Sequence, residues 1–236
     1  MRVAVFFTPP AGHPLVNAAA NWLGRDAFTG ESRDRGPVSD FAPAELDALT
    51  AEPRRYGFHA TLKPPFRIAE GLGLADVEAA AAAFGRASPP VVIPALELTR
   101  IGPFFALTID GDPSAVDALA GQAVRVFEPL RAPLEAAEIA RRRPQGLTER
   151  QRAYLDAWGY PYVFEDFRFH MTLTGPVPAD RQAAVDAVLR DRFAAFIGKP
   201  LAVGAIALFH QPTPPGDFTV GSLFSLEAAG EPAVGA

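Results

Sequence analysis

Two short stretches decide how this chain is read: Phe58-His59-Ala60-Thr61-Leu62 and Phe169-His170-Met171-Thr172-Leu173. The chain holds four histidines in 236 residues. With its eleven threonines, chance alone yields only about 0.2 His-x-Thr triplets. Finding two, each framed by Phe and Leu, calls for a structural explanation. Side chains alternate faces along a strand, so His59 and Thr61 share one face and Phe58, Ala60 and Leu62 the other. The second stretch repeats this, with His170 and Thr172 on one face and Phe169, Met171 and Leu173 packed away.

Outward from each triplet the chain repeats one order of elements. Residues 57–68 read as a strand, 74–87 as an Ala-rich helix, and 91–99 and 103–110 as two strands. Residues 167–174 read as a strand, 179–196 as a helix, and 201–210 and 217–227 as two strands. The pattern is an internal repeat with halves at roughly 57–128 (closed by a helix at 114–128) and 167–227. A strand and helix over 2–23 precede it, and Pro43 to Thr50 suggests a short helix. Residues 24–42 carry no periodicity and suggest a loop able to cover a site. Residues 131–166 bridge the halves with one helix near 148–158, and 228–236 read as a frayed tail. The expected fold is therefore α+β. We expect a single domain over 1–236 of two pseudo-symmetric lobes, each an antiparallel sheet with helices on its outer face. One His-x-Thr strand from each lobe would meet in a central cleft.

Composition excludes several alternatives. With 49% hydrophobic and 21% charged residues, the chain can bury a core and is not disordered. The absence of cysteine removes disulfide frameworks, thiol nucleophiles and cysteine metal sites. No signal peptide or membrane span is expected, which points to a cytoplasmic protein. A net charge of −5 disfavours a long nucleic-acid partner, whose binding needs a basic field. No His-Glu-x-x-His, phosphate-binding P-loop or Gly-x-Ser-x-Gly elbow occurs, so neither metal nor cofactor is expected.

Two imidazoles, each followed by a hydroxyl, suit the opening of a phosphodiester. One histidine activates the attacking oxygen and the other protonates the leaving oxygen. In-line displacement requires them to approach from opposite sides. Thr61 and Thr172 would donate to the non-bridging oxygens. The same parity adds Lys63 and Arg168 as substrate-binding cations, with Thr174 a weaker candidate. Tyr56 joins the face only if a bulge at Gly57 shifts the register. His13 and His210 read as cap or turn residues. Arg131 and the run Arg141 to Arg143 are further basic candidates, the run reading first as a solvated helix face.

The longer strings RYGFHATLKPPF (55–66) and FRFHMTLTG (167–175), with WLGRD (22–26), resemble the 2H phosphoesterase superfamily of 2′,5′ RNA ligase-like proteins and cyclic phosphodiesterases. Within it they are similar to the DUF1045 branch, associated with phosphonate metabolism. The resemblance spans nearly the whole chain. It implies a two-lobed fold and a metal-independent site built on His59, Thr61, His170 and Thr172. The expected activity is hydrolysis of a small cyclic phosphate, either a cyclic nucleotide or a sugar cyclic phosphate. The alternatives are RNA-end 2′,5′ ligation and non-catalytic binding of a nucleotide or phosphometabolite.

Overall fold

The computed structural model describes residues 1–142 and 144–227; the tail reading over 228–236 and Arg143 lie outside the described residues. The main sheet is antiparallel and has seven strands. These are β1 (Arg2–Phe7), β2 (Ala60–Phe66), β4 (Ala95–Ile101), β5 (Phe104–Asp110), β6 (Met171–Thr172), β8 (Ala205–Gln211) and β9 (Thr219–Ser225). Their order is β4-β5-β6-β2-β1-β8-β9, and β3 (Val91–Ile93) pairs with β7 (Leu201–Val203) in a separate ribbon.

The internal repeat is visible in this order, but the halves are exchanged. The expected picture gave each half its own sheet; instead β5 of the first half pairs with β6 of the second. Strand β8 of the second half pairs with β1, which lies against β2 of the first. Ala60 and Met171 hold the same place in the two motifs and face each other across β2 and β6. Val92 and Ala202 do the same across the β3–β7 ribbon. A pseudo-twofold axis therefore passes between the two His-x-Thr segments, and the sheet is continuous through it.

One face of the sheet is dry. Phe58, Ala60 and Leu62 from the first motif and Phe169, Met171 and Leu173 from the second enter one core. Helices α1 (Pro14–Leu23), α2 (Pro43–Tyr56), α3 (Leu74–Ala87), α4 (Ser114–Phe127) and α7 (Gln182–Arg192) supply Leu15, Leu49, Val77, Phe127 and Leu189 to it. Each such side chain contributes about 1.5–3 kcal/mol on full burial. Trp22 on α1 also donates its indole N–H to the Leu173 carbonyl at 2.8 Å, fixing the second motif from below.

Several elements differ from the sequence reading. Pro94 and Gly204 split two expected strands, giving β3 and β4 and then β7 and β8. The expected strand over 167–174 is regular only at Met171–Thr172. Its neighbours supply just three facing positions, and a tight turn over Phe164–Asp166 delivers the chain to it from the side. Helix α2 runs on to Tyr56 through Pro53, and the Leu49 carbonyl that Pro53 has no N–H to serve accepts from the Gly175 N–H at 2.6 Å. Residues 24–42 do not cover the sheet's open face. Arg25 bonds the Phe218 carbonyl at 2.8 Å, and Arg35 bonds the Trp22 and Leu23 carbonyls at 2.9 and 2.8 Å. These contacts clamp the loop to α1 and β9. The open face is walled instead by part of the bridging segment, which carries α5 (Ala136–Arg141) and α6 (Glu149–Trp158).

Candidate active site

The polar face of β2 and the approach to β6 form the floor of a cleft with two chambers. Thr61, Pro64, Pro103, Phe104 and Tyr160 line both of them. The first chamber, about 560 Å3, places His170, Thr61 and Arg168 beside Ile101, Phe104, Tyr162 and Phe167. The second, about 460 Å3, holds His59, Thr61 and Thr172 with Tyr56, Phe6 and Arg142. These volumes suit a small organic ligand rather than a polymer. The four residues of the two His-x-Thr motifs thus come together, as the parity argument expects.

Both histidines are oriented by the same device. The Nδ1 of His59 donates to the Gly57 carbonyl at 2.8 Å, and that of His170 to the Arg168 carbonyl at 2.7 Å. In each case the partner lies two residues earlier. The bond fixes the tautomer and leaves Nε2 as the free ring nitrogen. His59 Nε2 lies 3.3 Å from Thr61 Oγ1, which donates to it. Gly57 makes the geometry possible with φ +78°. A side chain there would also strike the Ala27 methyl.

The two imidazoles are not electrostatically equivalent. His59 stacks on Phe6 at 3.8 Å and lies 5.8 Å from Phe209 and 6.0 Å from Tyr56. That apolar bed, completed by Phe218 and Ala27, disfavours the charged ring. Burial lowers the pKa of His59 to about 4, His170 adds to the effect, and the Gly57 bond opposes it. His170 is also lowered, by burial first and then by Arg168, against the bond to the Arg168 carbonyl. Its aromatic neighbour is Phe104 at 6.0 Å.

The other expected residues divide. Tyr56 stands beside His59, stacked on Phe218 at 5.1 Å, with its hydroxyl accepting from Arg55 at 2.9 Å. Arg168 is exposed at the rim of the first chamber. Lys63 is a correction: it points away from the cleft into the core. Phe6 faces Thr61 while Val5 faces Lys63, so two steps on β2 match one on β1. This bulge reverses the alternation after Thr61. The Lys63 ammonium is buried, bonds the Val124 carbonyl at 3.4 Å and pairs with Glu128. Arg131 is likewise withdrawn, pairing with Glu128 at 2.5 Å. Thr174 touches the second chamber, but its hydroxyl is taken by the Phe105 N–H at 3.0 Å. His13 caps α1, accepting from the Leu15 N–H at 3.2 Å.

Sequence reasoning missed the chamber walls. Tyr160, Tyr162 and Phe167 come from the bridging segment and its junction with the second motif. A cluster of three tyrosines and one tryptophan within 154–162 was the available signal. Arg142 belongs to the basic run read as a solvated face, yet it lines the second chamber. Among the described residues no group of three or more histidine or carboxylate side chains gathers as a metal site. No described helix is long and apolar enough to cross a membrane.

An antiparallel sheet with paired His-x-Thr segments at its pseudo-axis defines the class of fold. Residues 61–219 match the family model DUF1045, described as a protein of unknown function, and the chain belongs to that family. Two relatives bear the name ribose 1,5-bisphosphate phosphokinase PhnN. The protein from Janthinobacterium sp. (strain Marseille) is 36% identical over 234 residues, covering 98% of this chain and 52% of that one. The protein from Laribacter hongkongensis (strain HLHK9) is 36% identical over 174 residues, covering 74% of this chain and 40% of that one. The chain thus spans about half the length of the first relative and less of the second. Among solved structures, TT0787 of Thermus thermophilus has 18% identity and a TM-score of 0.45, with 96% of this chain and 98% of that one covered. E. coli LigT complexed with 3′-AMP has 13% identity and a TM-score of 0.43 over the same shares.

Proposed function

We propose that this cleft is the active site of a metal-independent phosphodiesterase that opens a small cyclic phosphate, with a nucleotide or sugar cyclic phosphate as substrate class. One observation carries the reading. Two histidines related by a pseudo-twofold axis each commit Nδ1 to a carbonyl two residues back, which leaves Nε2 as the nitrogen each turns to the cleft, that of His59 beside the Thr61 hydroxyl. A structural histidine pair has no need of matched tautomers; a base and an acid acting on one phosphorus do.

His59, whose apolar bed keeps it neutral down to about pH 4, takes the role of base. It removes a proton from water as the water oxygen attacks phosphorus. The phosphorus–oxygen ester bond breaks on the far side, and protonated His170 gives its proton to the leaving oxygen. An anionic phosphate in the cleft favours the His170 imidazolium and offsets the burial that lowers it. Thr61 and Thr172 donate to the non-bridging oxygens as charge redistributes. The aromatic wall of the first chamber receives the organic part of the ester, where stacking and exclusion of water favour a ring.

The phosphokinase name of the relatives belongs to proteins about twice as long. Neither Lys63 nor Lys199 lies in a G-x-x-x-x-G-K-[ST] loop, and Lys63 is locked to Glu128. The residues of this chain therefore favour diester hydrolysis over phosphoryl transfer from a nucleotide. The test is product formation from a panel of 2′,3′-cyclic nucleotides and sugar cyclic phosphates in the presence of EDTA. Turnover that survives EDTA and falls by about 10²–10⁴ in both His59→Ala and His170→Ala supports the reading. Full turnover in either folded variant overturns it.

A further inference from the structure

A reacting phosphate has to be reached from both histidines, which confines it to the seam where the two chambers meet. His170 lines the first chamber and His59 the second. Five residues line both: Thr61, Pro64, Pro103, Phe104 and Tyr160. Pro64, Pro103 and Phe104 have no polar side-chain atom, so the seam offers two hydroxyls, those of Thr61 and Tyr160. Thr172, the pseudo-symmetric counterpart of Thr61, lines the second chamber alone. Tyr160 comes from the bridging segment, between α6 and the second motif, and has no counterpart in the repeat.

The wall holds Tyr160 in place before any ligand arrives. Helix α6 ends at Gly159, left-handed at φ +72°, whose N–H bonds the Leu155 carbonyl at 2.9 Å. A Cβ at that glycine would come within 2.9 Å of the Arg131 guanidinium, so the turn packs against the Lys63, Glu128 and Arg131 cluster. One residue on, two neighbours fix the Tyr160 ring. Tyr162 meets it edge-on at 5.6 Å, and the Arg142 guanidinium lies 4.8 Å from its centre.

The other tyrosine hydroxyls are committed or peripheral. Tyr154 donates to Glu165, Tyr56 accepts from Arg55 at 2.9 Å, and Tyr162, 47% exposed, lines the first chamber alone. Among the described residues the Tyr160 hydroxyl has no hydrogen-bond partner, yet it is not sealed from solvent. Burial pushes this phenol up from its ordinary value, with Arg142 opposing, so it keeps its proton at neutral pH. A protonated phenol that no protein acceptor has claimed is free to donate to an anionic oxygen.

We propose that Tyr160 is a third donor to the reacting phosphate, its O–H bonding a non-bridging oxygen from the wall as Thr61 does from the floor. The O–H bond is kept throughout, so the proton balance of the two histidines is unchanged. The hydrogen bond strengthens as charge gathers on that oxygen in the transition state. The rival role for Tyr160 is an apolar wall against the organic part of the ester, for which the ring matters and the hydroxyl does not. The inference rests on the diesterase reading for its kinetic consequence but not for its binding consequence, so the two are tested separately.

Tyr160→Phe keeps the ring and Tyr160→Leu does not. On a cyclic phosphate that the wild type turns over, Tyr160→Phe lowers kcat by about 10- to 10³-fold with KM within about threefold, at an unchanged unfolding temperature. Wild-type kcat in Tyr160→Phe, with a loss only in Tyr160→Leu and through KM, overturns the proposal in favour of the wall. The binding test needs no turnover. Orthovanadate, which expands to five-coordination as phosphorus does during displacement, and inorganic phosphate are each titrated into the full chain by calorimetry. Tyr160→Phe weakens vanadate binding by about tenfold or more and phosphate binding by less than about threefold. Failure of the wild type to bind vanadate, or equal vanadate binding by Tyr160→Phe, overturns the proposal. The vanadate loss with no turnover of any cyclic phosphate instead refutes the diesterase reading and leaves Tyr160 as an anion donor at the seam.

Discussion

Lys63 offers the sharpest separation between what strand parity suggests and what the packed structure requires. Parity places it beside Thr61 as a phosphate ligand; the bulge opposite Val5 and Phe6 turns it into the core. There its side chain is 1% exposed and paired with Glu128, which is 20% exposed and also held by Arg131. Replacing Lys63 by Met preserves much of the stem volume and removes only the charge. Breaking a fully buried pair costs about 3–5 kcal/mol because the surviving charge is stranded. Glu128 keeps Arg131 and some water, so we expect a smaller loss of about 1–3 kcal/mol. For a chain of this size each kcal/mol shifts the unfolding temperature by about 2–4 °C, giving a fall of roughly 2–12 °C. The assay is thermal unfolding beside cyclic-phosphate turnover below the transition. Lys63→Met should unfold early and retain kcat/KM within about threefold, because no atom of Lys63 reaches the cleft. The double variant Lys63→Met/Glu128→Gln should recover little of the lost stability, since Arg131, 11% exposed, then loses its carboxylate. An unchanged unfolding temperature with a loss of about 10²-fold in kcat/KM, as for a lost transition-state donor, would refute the placement and restore Lys63 to the phosphate.

Other expectations follow from the same geometry. Thr61→Ala and Thr172→Ala should each lower kcat by about 10- to 10³-fold at unchanged stability, measured by steady-state kinetics and thermal unfolding. Gly57→Ala should destabilise by about 1–3 kcal/mol and depress turnover further than that loss explains. It strains φ at +78° and collides with Ala27, displacing the carbonyl that orients His59. Stability should fall with acidification between the unfolded histidine value near 6.5 and the folded value of His59 near 4. In that window the unfolded chain takes up a proton that the folded chain refuses, so folding is favoured above it and penalised as pH drops. The contribution is at most about 3 kcal/mol. It appears as a steeper loss of unfolding temperature from pH 7 to 4.5 in the wild type than in His59→Gln.

What the sequence made legible was what periodicity controls. Alternation separated His59 and Thr61 from Phe58, Ala60 and Leu62, and the second motif likewise, because a face buried against helices cannot tolerate a slip of one residue. The repeat was legible for the same reason. The exchange of strands between halves was not, since β5 pairing with β6 is a long-range choice that leaves no local mark on either strand. Nor was the bulge after Thr61, which is specified by its partner β1 and not by β2 alone. Residues 24–42 read as a loop able to cover a site because they lack periodicity, yet arginine-to-carbonyl bonds hold them down, and such bonds have no sequence period. The cleft wall over 142–168 was hidden by the same blindness: a segment that packs through tyrosines and short turns reads as a connector.

The pseudo-symmetry explains the site best where it fails. A perfect twofold would give His59 and His170 identical surroundings and therefore identical proton affinities, which suits a binding site for a symmetric ligand but not two opposite proton transfers. The backbone keeps the symmetry, with each Nδ1 tied to the carbonyl two residues back. The environments break it. Strand β1 inserts beside β2, bringing Phe6 under His59, whereas β6 lies against β5 and the ring paired with His170 among the described residues is Phe104, at longer range. The insertion of one strand on one side of the axis is thus enough to separate the two imidazoles. It follows that Phe6→Leu, which keeps the core filled but removes the stacked ring, should raise the pKa of His59 from its value near 4. The shift is readable in the ring carbon resonances on acid titration, with His170 moving far less. If both histidines moved together, or neither did, the burial on β1 would not be what sets the two apart.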